Sequence, residues 1–176
     1  GSRIKKVEAS FLETFESPNC APLIDFSREI HTADHRIVRR KRTLDYKPEF
    51  DANVNLLTVY PGMPQSFLDA VLSSGPHGIV LRTYGPGMLS ADLFPWLQQV
   101  TERKIPIVIT SQALRGKVDL HKYRKQLTLE QLGIISGKDM TFECALVKLM
   151  WALTQAKTPL RIRDLMERSL VGELDD

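Results

Sequence analysis

The chain has 176 residues, 43% of them hydrophobic and 26% charged, with a net charge of +3 and two cysteines. That length and apolar share suit one globular domain with a real buried core. Cys20 and Cys144 stand far apart, which gives no Cys-x-x-Cys metal or redox spacing and fits a reducing compartment better than a disulfide-stapled secreted protein.

No apolar run approaches the roughly 18 residues that cross a bilayer, and no charged-then-apolar leader stands at the start, so no membrane partner is expected. The opening Gly1-Ser2 reads as the remnant of a cleaved tag, and the natural protein is expected to continue upstream. Five positive charges fall within residues 36–42 (Arg36, Arg39, Arg40, Lys41 and Arg42). They exceed the net charge, so the remainder is slightly acidic and a general nucleic-acid surface is not indicated. The cluster reads as a targeting or nucleic-acid patch, or as a solvated linker surface. With no aromatic residues interleaved for base stacking, no nucleic-acid partner is expected.

In chain order, residues 1–50 are polar and broken by Pro18, Pro22 and Pro48, the texture of a linker. Residues 52–157 alternate short apolar runs with amphipathic stretches, and a last amphipathic stretch follows to about residue 170. Val54 to Val59 is the first buried-strand candidate, and Gly78 to Leu81, ending at Arg82, is the second. Ile105 to Thr110 is the third, with Pro106 confined to its start or an edge. Leu132 to Ser136 is the fourth.

Helical spacing fills the gaps. Ser66 to Leu72 places Phe67, Val71 and Leu72 along one face. Leu93 to Glu102 follows Ser90, with Pro95 in its first turn or kinking it. Thr128-Leu129-Glu130-Gln131 has the form of a capping box opening a short helix. Met140 to Gln155 carries the stripe Phe142, Leu146, Leu149, Met150 and Leu153. Thr158-Pro159 reads as an N-cap followed by proline at the first helical position, opening a helix that ends near Gly172.

Strands alternating with helices predict an α/β fold, a small Rossmann-like or flavodoxin-like parallel sheet of about four strands with helices on both faces. Ligands on such sheets bind outside the carboxyl ends of the strands. This directs attention to Tyr60-Pro61-Gly62, to residues 82–88 and to residues 110–117. Arg82 suits a two-pronged clamp on a carboxylate, or a structural ion pair in a tight turn. Thr83 and Tyr84 add hydroxyls beside it. Thr110, Ser111 and Gln112 suit either a small polar ligand or the capping of the next segment. Arg115 and Lys117 add positive field, or are simply solvated.

Gly85-Pro86-Gly87 lacks the third glycine of a dinucleotide fingerprint, and no P-loop lysine follows, so no cofactor is expected. Of His31, His35, His77 and His121, only the first two have i, i+4 spacing, in the irregular N-terminal region, and no metal site is expected. No Gly-x-Ser-x-Gly elbow is present and neither cysteine has an assigned base, so no catalytic residue is assigned.

Five segments in order carry a resemblance. They are Tyr60-Pro61-Gly62, Gly78 to Gly87, Ser111-Gln112 with Gly116-Lys117-Val118, Gly137-Lys138-Asp139-Met140-Thr141 with Glu143, Ala145, Lys148 and Leu149, and upstream Phe15 to Asn19 with Pro22 and Leu23. Together they resemble the C-terminal domain of type I, cytoplasmic L-asparaginases of the asparaginase/glutaminase superfamily. In that family an N-terminal domain carries the nucleophilic threonine in a Thr-Gly-Gly-Thr segment and hydrolyses L-asparagine to L-aspartate and ammonia. Neither that segment nor Thr-Asp-Thr-Met occurs here.

The resemblance implies that residues 1–50 are a linker from such a catalytic domain and that residues 51–176 are the C-terminal α/β domain, itself inactive. It implies a homodimer or homotetramer, and loops that reach the active-site region or hold a regulatory asparagine. Arg82, Thr83, Tyr84, Ser111 and Gln112 are then the ligand-binding candidates, for L-asparagine or L-aspartate. Two positions depart from the family: Met88 replaces the asparagine of a Gly-x-Gly-Asn arrangement, and Ala113 replaces a cysteine of some regulated members. The alternatives are a non-catalytic amino-acid-binding module, or the C-terminal part of the D subunit of archaeal glutamyl-tRNA amidotransferase, which uses glutaminase chemistry to supply ammonia.

Overall fold

The computed structural model describes residues 1–12, 14–22, 24–25, 31–32, 46–122 and 124–175. The Arg36–Arg42 cluster lies outside them, as does His35. Two short antiparallel pairs come first: β1 (Lys5–Lys6) with β2 (Phe15–Glu16), and β3 (Ile24–Asp25) with β4 (His31–Thr32). A four-stranded sheet follows, made of β5 (Val54–Thr58), β6 (Gly78–Thr83), β7 (Ile107–Ser111) and β8 (Ile135–Ser136), in that spatial order. All three pairings are parallel.

Because the order steps one way, crossovers of one hand must place every connecting helix on the same face. That face carries α1 (Gln65–Ser73), α2 (Phe94–Glu102) and α3 (Arg124–Gln131). Leu68, Leu72, Trp96, Leu97, Val100 and Leu129 pack there on Leu57, Ile79, Leu81, Ile107 and Ile109. After β8 the chain returns across the other face as α4 (Phe142–Gln155) and α5 (Pro159–Glu167). Ala145, Leu149, Ala152, Ile162 and Met166 cover Val54, Val80, Val108 and Ile135. The expected α/β sandwich with helices on both faces is therefore what forms. The one-way order leaves this sheet without the reversal that opens a ligand crevice in doubly wound folds.

Local chemistry explains most element ends. Thr158 Oγ1 accepts from the Arg161 amide with Pro159 at the first helical position, as expected. Thr141 caps α4 by accepting from Cys144 N at 3.2 Å. Pro95 lies in the first turn of α2, and Pro106 immediately precedes β7, where its carbonyl accepts from Ile79 N.

Four expectations are corrected. Thr128 to Gln131 forms the last turn of α3 instead of opening a helix, and Leu132 N still donates to Thr128 O at 3.0 Å. The polar start of that helix has no apolar periodicity to reveal it. On α1 the buried residues are Leu68 and Leu72, while Phe67 is 44% exposed, so the apolar face is turned by one residue. The helix after Thr158 stops at Glu167 because the Lys148 ammonium takes the carbonyls of Met166 and Arg168, at 2.9 and 2.8 Å. β5 is an edge strand, which leaves Leu56 exposed where a fully buried run was expected.

Candidate functional site

Successive strand residues point to opposite faces, and this separates the first two expected site residues. Arg82 turns toward the α4 side. Its guanidinium carbon lies 4.1 Å from the Phe142 ring centroid, and Nη1 donates to Thr58 Oγ1 at 3.4 Å. Its Nε is buried with no hydrogen-bond partner. Thr83 turns the other way, fully buried, and its hydroxyl donates to Thr110 O at 3.2 Å.

Tyr84 opens the loop. It exchanges two backbone hydrogen bonds with Met88, at 3.1 and 2.8 Å, around Gly85 (φ 46) and Gly87 (φ 109). Side-chain-bearing residues are strained at such angles, so the two glycines are what permits this turn. The Tyr84 hydroxyl is buried without a partner. Ser111 Oγ donates to Gly85 O at 2.8 Å and accepts from Ala113 N at 3.0 Å, which ties the second loop to the first. Gln112 Nε2 donates to the carbonyls of Val59 and Arg82, at 2.7 and 3.0 Å, and its backbone N donates to Thr83 O. Gln112 thus fastens the ends of β5, β6 and β7 together.

Three further residues complete this corner, none of them among the expected site residues. Phe142, first residue of α4, presents its ring to Arg82 and also to Lys5, whose Nζ lies 4.2 Å from the same centroid. Lys5 is ion-paired through Glu143 Oε1, while Glu143 Oε2 is buried without a partner. The periodicity assigns Phe142 to the apolar stripe, and nothing in residues 1–10 signals that Lys5 returns to the sheet. Lys5 is brought back by β1, which pairs with β2 through Lys5 and Glu16, and by Arg3. The Arg3 guanidinium donates to Gly172 O, to Asp139 Oδ2 at 2.7 Å and to Asp175 Oδ1 at 2.6 Å. Asn19 reaches Gly116 and Asp139 from the same segment, and Arg115 pairs with Glu16 at 3.1 Å.

The cavities are lined mainly by other residues, although Glu143 of this corner borders the larger one. A groove of about 1430 Å³ runs along the outer side of α4 and α5, lined by Phe50, Val147, Trp151, Leu165 and Val171 among others. A cleft of about 470 Å³ lies between His121, Glu130 and Arg163. Neither includes Arg82, Thr83, Tyr84, Ser111 or Gln112. Cys144 borders the groove, but burial and the Glu173 charge push its thiol up to about 11, far from the range of a reactive thiolate. Among the described residues no helix is long and apolar enough to cross a membrane.

Residues 53–166 match the glutaminase/asparaginase C-terminal domain model. The chain belongs to that family. The D subunit of glutamyl-tRNA(Gln) amidotransferase from Sulfolobus acidocaldarius is 34% identical over 180 residues, covering 99% of this chain and 40% of the relative. Its counterpart from Methanosarcina barkeri is 32% identical over 177 residues, covering 99% of this chain and 42% of the relative. Among solved structures, the thermostable L-asparaginase from Thermococcus kodakarensis aligns with a TM-score of 0.88 at 33% identity, over 99% of this chain and 54% of that one. L-asparaginase I from Vibrio cholerae O1 biovar eltor str. N16961 aligns at 0.86 and 29% identity, again over 99% and 54%. This glutaminase/asparaginase C-terminal domain therefore spans less than half the length of those curated relatives and about half of those structural neighbours. The similarity to both groups reaches residues 1–50, upstream of the family match, so the docked N-terminal segment belongs to the shared architecture.

Proposed function

We propose that this chain is the C-terminal part of a cytoplasmic L-asparaginase, an amidohydrolase converting L-asparagine to L-aspartate and ammonia, whose nucleophile lies in an N-terminal catalytic domain. Residues 1–50 are the linker from that domain, and the protein works as a homodimer or homotetramer. The observation that carries the reading is Arg82: a guanidinium at the carboxyl edge of the sheet with a buried, unpartnered Nε, stacked on an aromatic ring. Such a group gains most from a planar two-oxygen anion such as an amino-acid carboxylate.

In this reading Arg82 holds a carboxylate of L-asparagine or L-aspartate. Thr83, Ser111 and Gln112 hold the loops in place through the bonds described above. Met88 in place of asparagine removes an amide from the loop but leaves its turn intact, because Met88 contributes the turn's backbone bonds. Ala113 likewise supplies only a backbone donor, to Ser111.

A second reading is supported by the amidotransferase relatives, which match as much of this chain as the asparaginases do. In it the same domain serves a glutaminase that feeds ammonia to glutamyl-tRNA(Gln). Ammonia release from L-asparagine and L-glutamine, assayed on this chain and on the longer protein containing it, separates the possibilities. The expected result is no release by the chain and asparagine-preferring release by the longer protein. Release by the chain alone contradicts the location of the nucleophile, and glutamine preference selects the second reading.

A further inference from the structure

Lys5 and Arg82 lie 4.2 and 4.1 Å from the centroid of one Phe142 ring, so their separation cannot exceed the sum of those lengths. Each is individually favoured there by the ring's quadrupole, yet the two like charges repel. Among the described residues the counter-charge on Lys5 is Glu143, whose second oxygen is buried and unpartnered. Among those same residues no carboxylate pairs with Arg82, whose one side-chain hydrogen bond is to a threonine hydroxyl. The corner therefore carries one positive charge more than it neutralises.

Lys5 is not a loose surface lysine. Its side chain is only 21% exposed, its backbone pairs in register with Glu16, and Glu16 is held in turn by Arg115. Two residues before it, Arg3 anchors the strand to Asp139 and Asp175. The fold delivers this ammonium to the ring from a segment otherwise remote from the sheet.

We propose that Lys5 is a second ligand-binding cation beside Arg82, and that the pair makes this corner select an amino dicarboxylate, L-aspartate, over its amide. The proposal rests on the reading of Arg82 as the carboxylate-binding residue. L-aspartate, with two carboxylates and one ammonium, brings a net charge of −1 that offsets the corner's excess positive charge, whereas zwitterionic L-asparagine brings none.

The test is calorimetric titration of L-aspartate and L-asparagine into the wild-type chain and the Lys5→Met, Lys5→Arg and Arg82→Met variants, with circular dichroism to confirm folding. The wild type is expected to bind aspartate roughly tenfold more tightly than asparagine, about 1.4 kcal/mol. Lys5→Met should abolish that preference while still binding both, Lys5→Arg should keep it, and Arg82→Met should lose both ligands. If wild type binds both equally, or Lys5→Met keeps the aspartate preference, the role of Lys5 is overturned while that of Arg82 stands. If folded Arg82→Met binds as the wild type does, or the wild type binds neither ligand, the Arg82 reading itself fails.

Discussion

Lys148 sits on the buried side of α4, with its side chain 5% exposed, where an ammonium has little water to hydrate it. It is retained because every donor direction is used: Glu173 lies 2.5 Å away, and the carbonyls of Met166 and Arg168 accept from the same nitrogen. Burial still pushes the Lys148 pKa down, against the pull of Glu173. For Glu173, burial alone would raise the carboxyl, but the bonds from Lys148 and from the amides of Val171 and Leu170 outweigh it and hold the group below its usual 4.5. A carboxyl depressed in the folded state stabilises above its unfolded pKa, and that stabilisation is lost as pH falls through the folded value. Urea unfolding should therefore show wild-type stability falling below pH 4.5, with a shallower fall in Glu173→Gln. At neutral pH, Lys148→Met should cost about 3–5 kcal/mol, because it strands a buried carboxylate. A cost under about 1 kcal/mol contradicts the burial argument. None of this is visible in the sequence. Lys148 sits in a helix whose period explains Leu149 but not it, and its partner lies beyond the helix predicted to continue to Gly172.

At the scale of elements, the strands were legible because parallel strands buried on both faces read as short continuous apolar runs, and β6 is the clearest case. The caps at Thr158 and the proline positions were legible because each solves a local backbone problem. The start of α3 was not, since its opening residues Arg124, Lys125 and Gln126 are polar and give no apolar stripe to register. The site was half legible. The expected loops do converge, but which side chains face out of them depends on strand alternation and on a segment 137 residues upstream of Phe142, a distance no local pattern encodes. The attachment of β8 is a close-approach problem. A Cβ on Gly137 would lie 2.6 Å from Ile109 O, a backbone atom that cannot rotate away. Gly137→Ala should therefore pull β8 from β7 and cost on the order of 1–3 kcal/mol or more. Gly78→Ala meets the Leu149 side chain at 3.0 Å and, because that side chain can turn, should cost less. Equal losses in thermal or urea unfolding contradict this ranking.

At the scale of the molecule, the sheet steps in one direction, with three α-helices on one side and two on the other among the described residues, and the N-terminal segment bonds to residues just beyond its last strand. The expectation of a plain linker over residues 1–50 did not anticipate that Arg3, Lys5 and Asn19 reach back to Asp139, Glu143 and Gly116. Charged contacts between distant segments leave no periodic trace, so only the fold reveals them. The same contacts bring residues 3–5, Asp175 and Arg82 to one place, which is where a domain entering through residues 1–50 would meet the proposed ligand site. The groove along α4 and α5 is the larger of two cavities; it touches that edge only through Glu143 and Cys144 and includes none of Arg82, Thr83, Tyr84, Ser111 or Gln112. Backbone amide NMR during titration with L-aspartate distinguishes the two locations directly. The expected result is that shifts concentrate at residues 4–6, 82–88 and 111–113. Shifts confined to residues 147–171 along the groove, or none at saturating ligand, would contradict the assignment of the ligand site to the sheet edge.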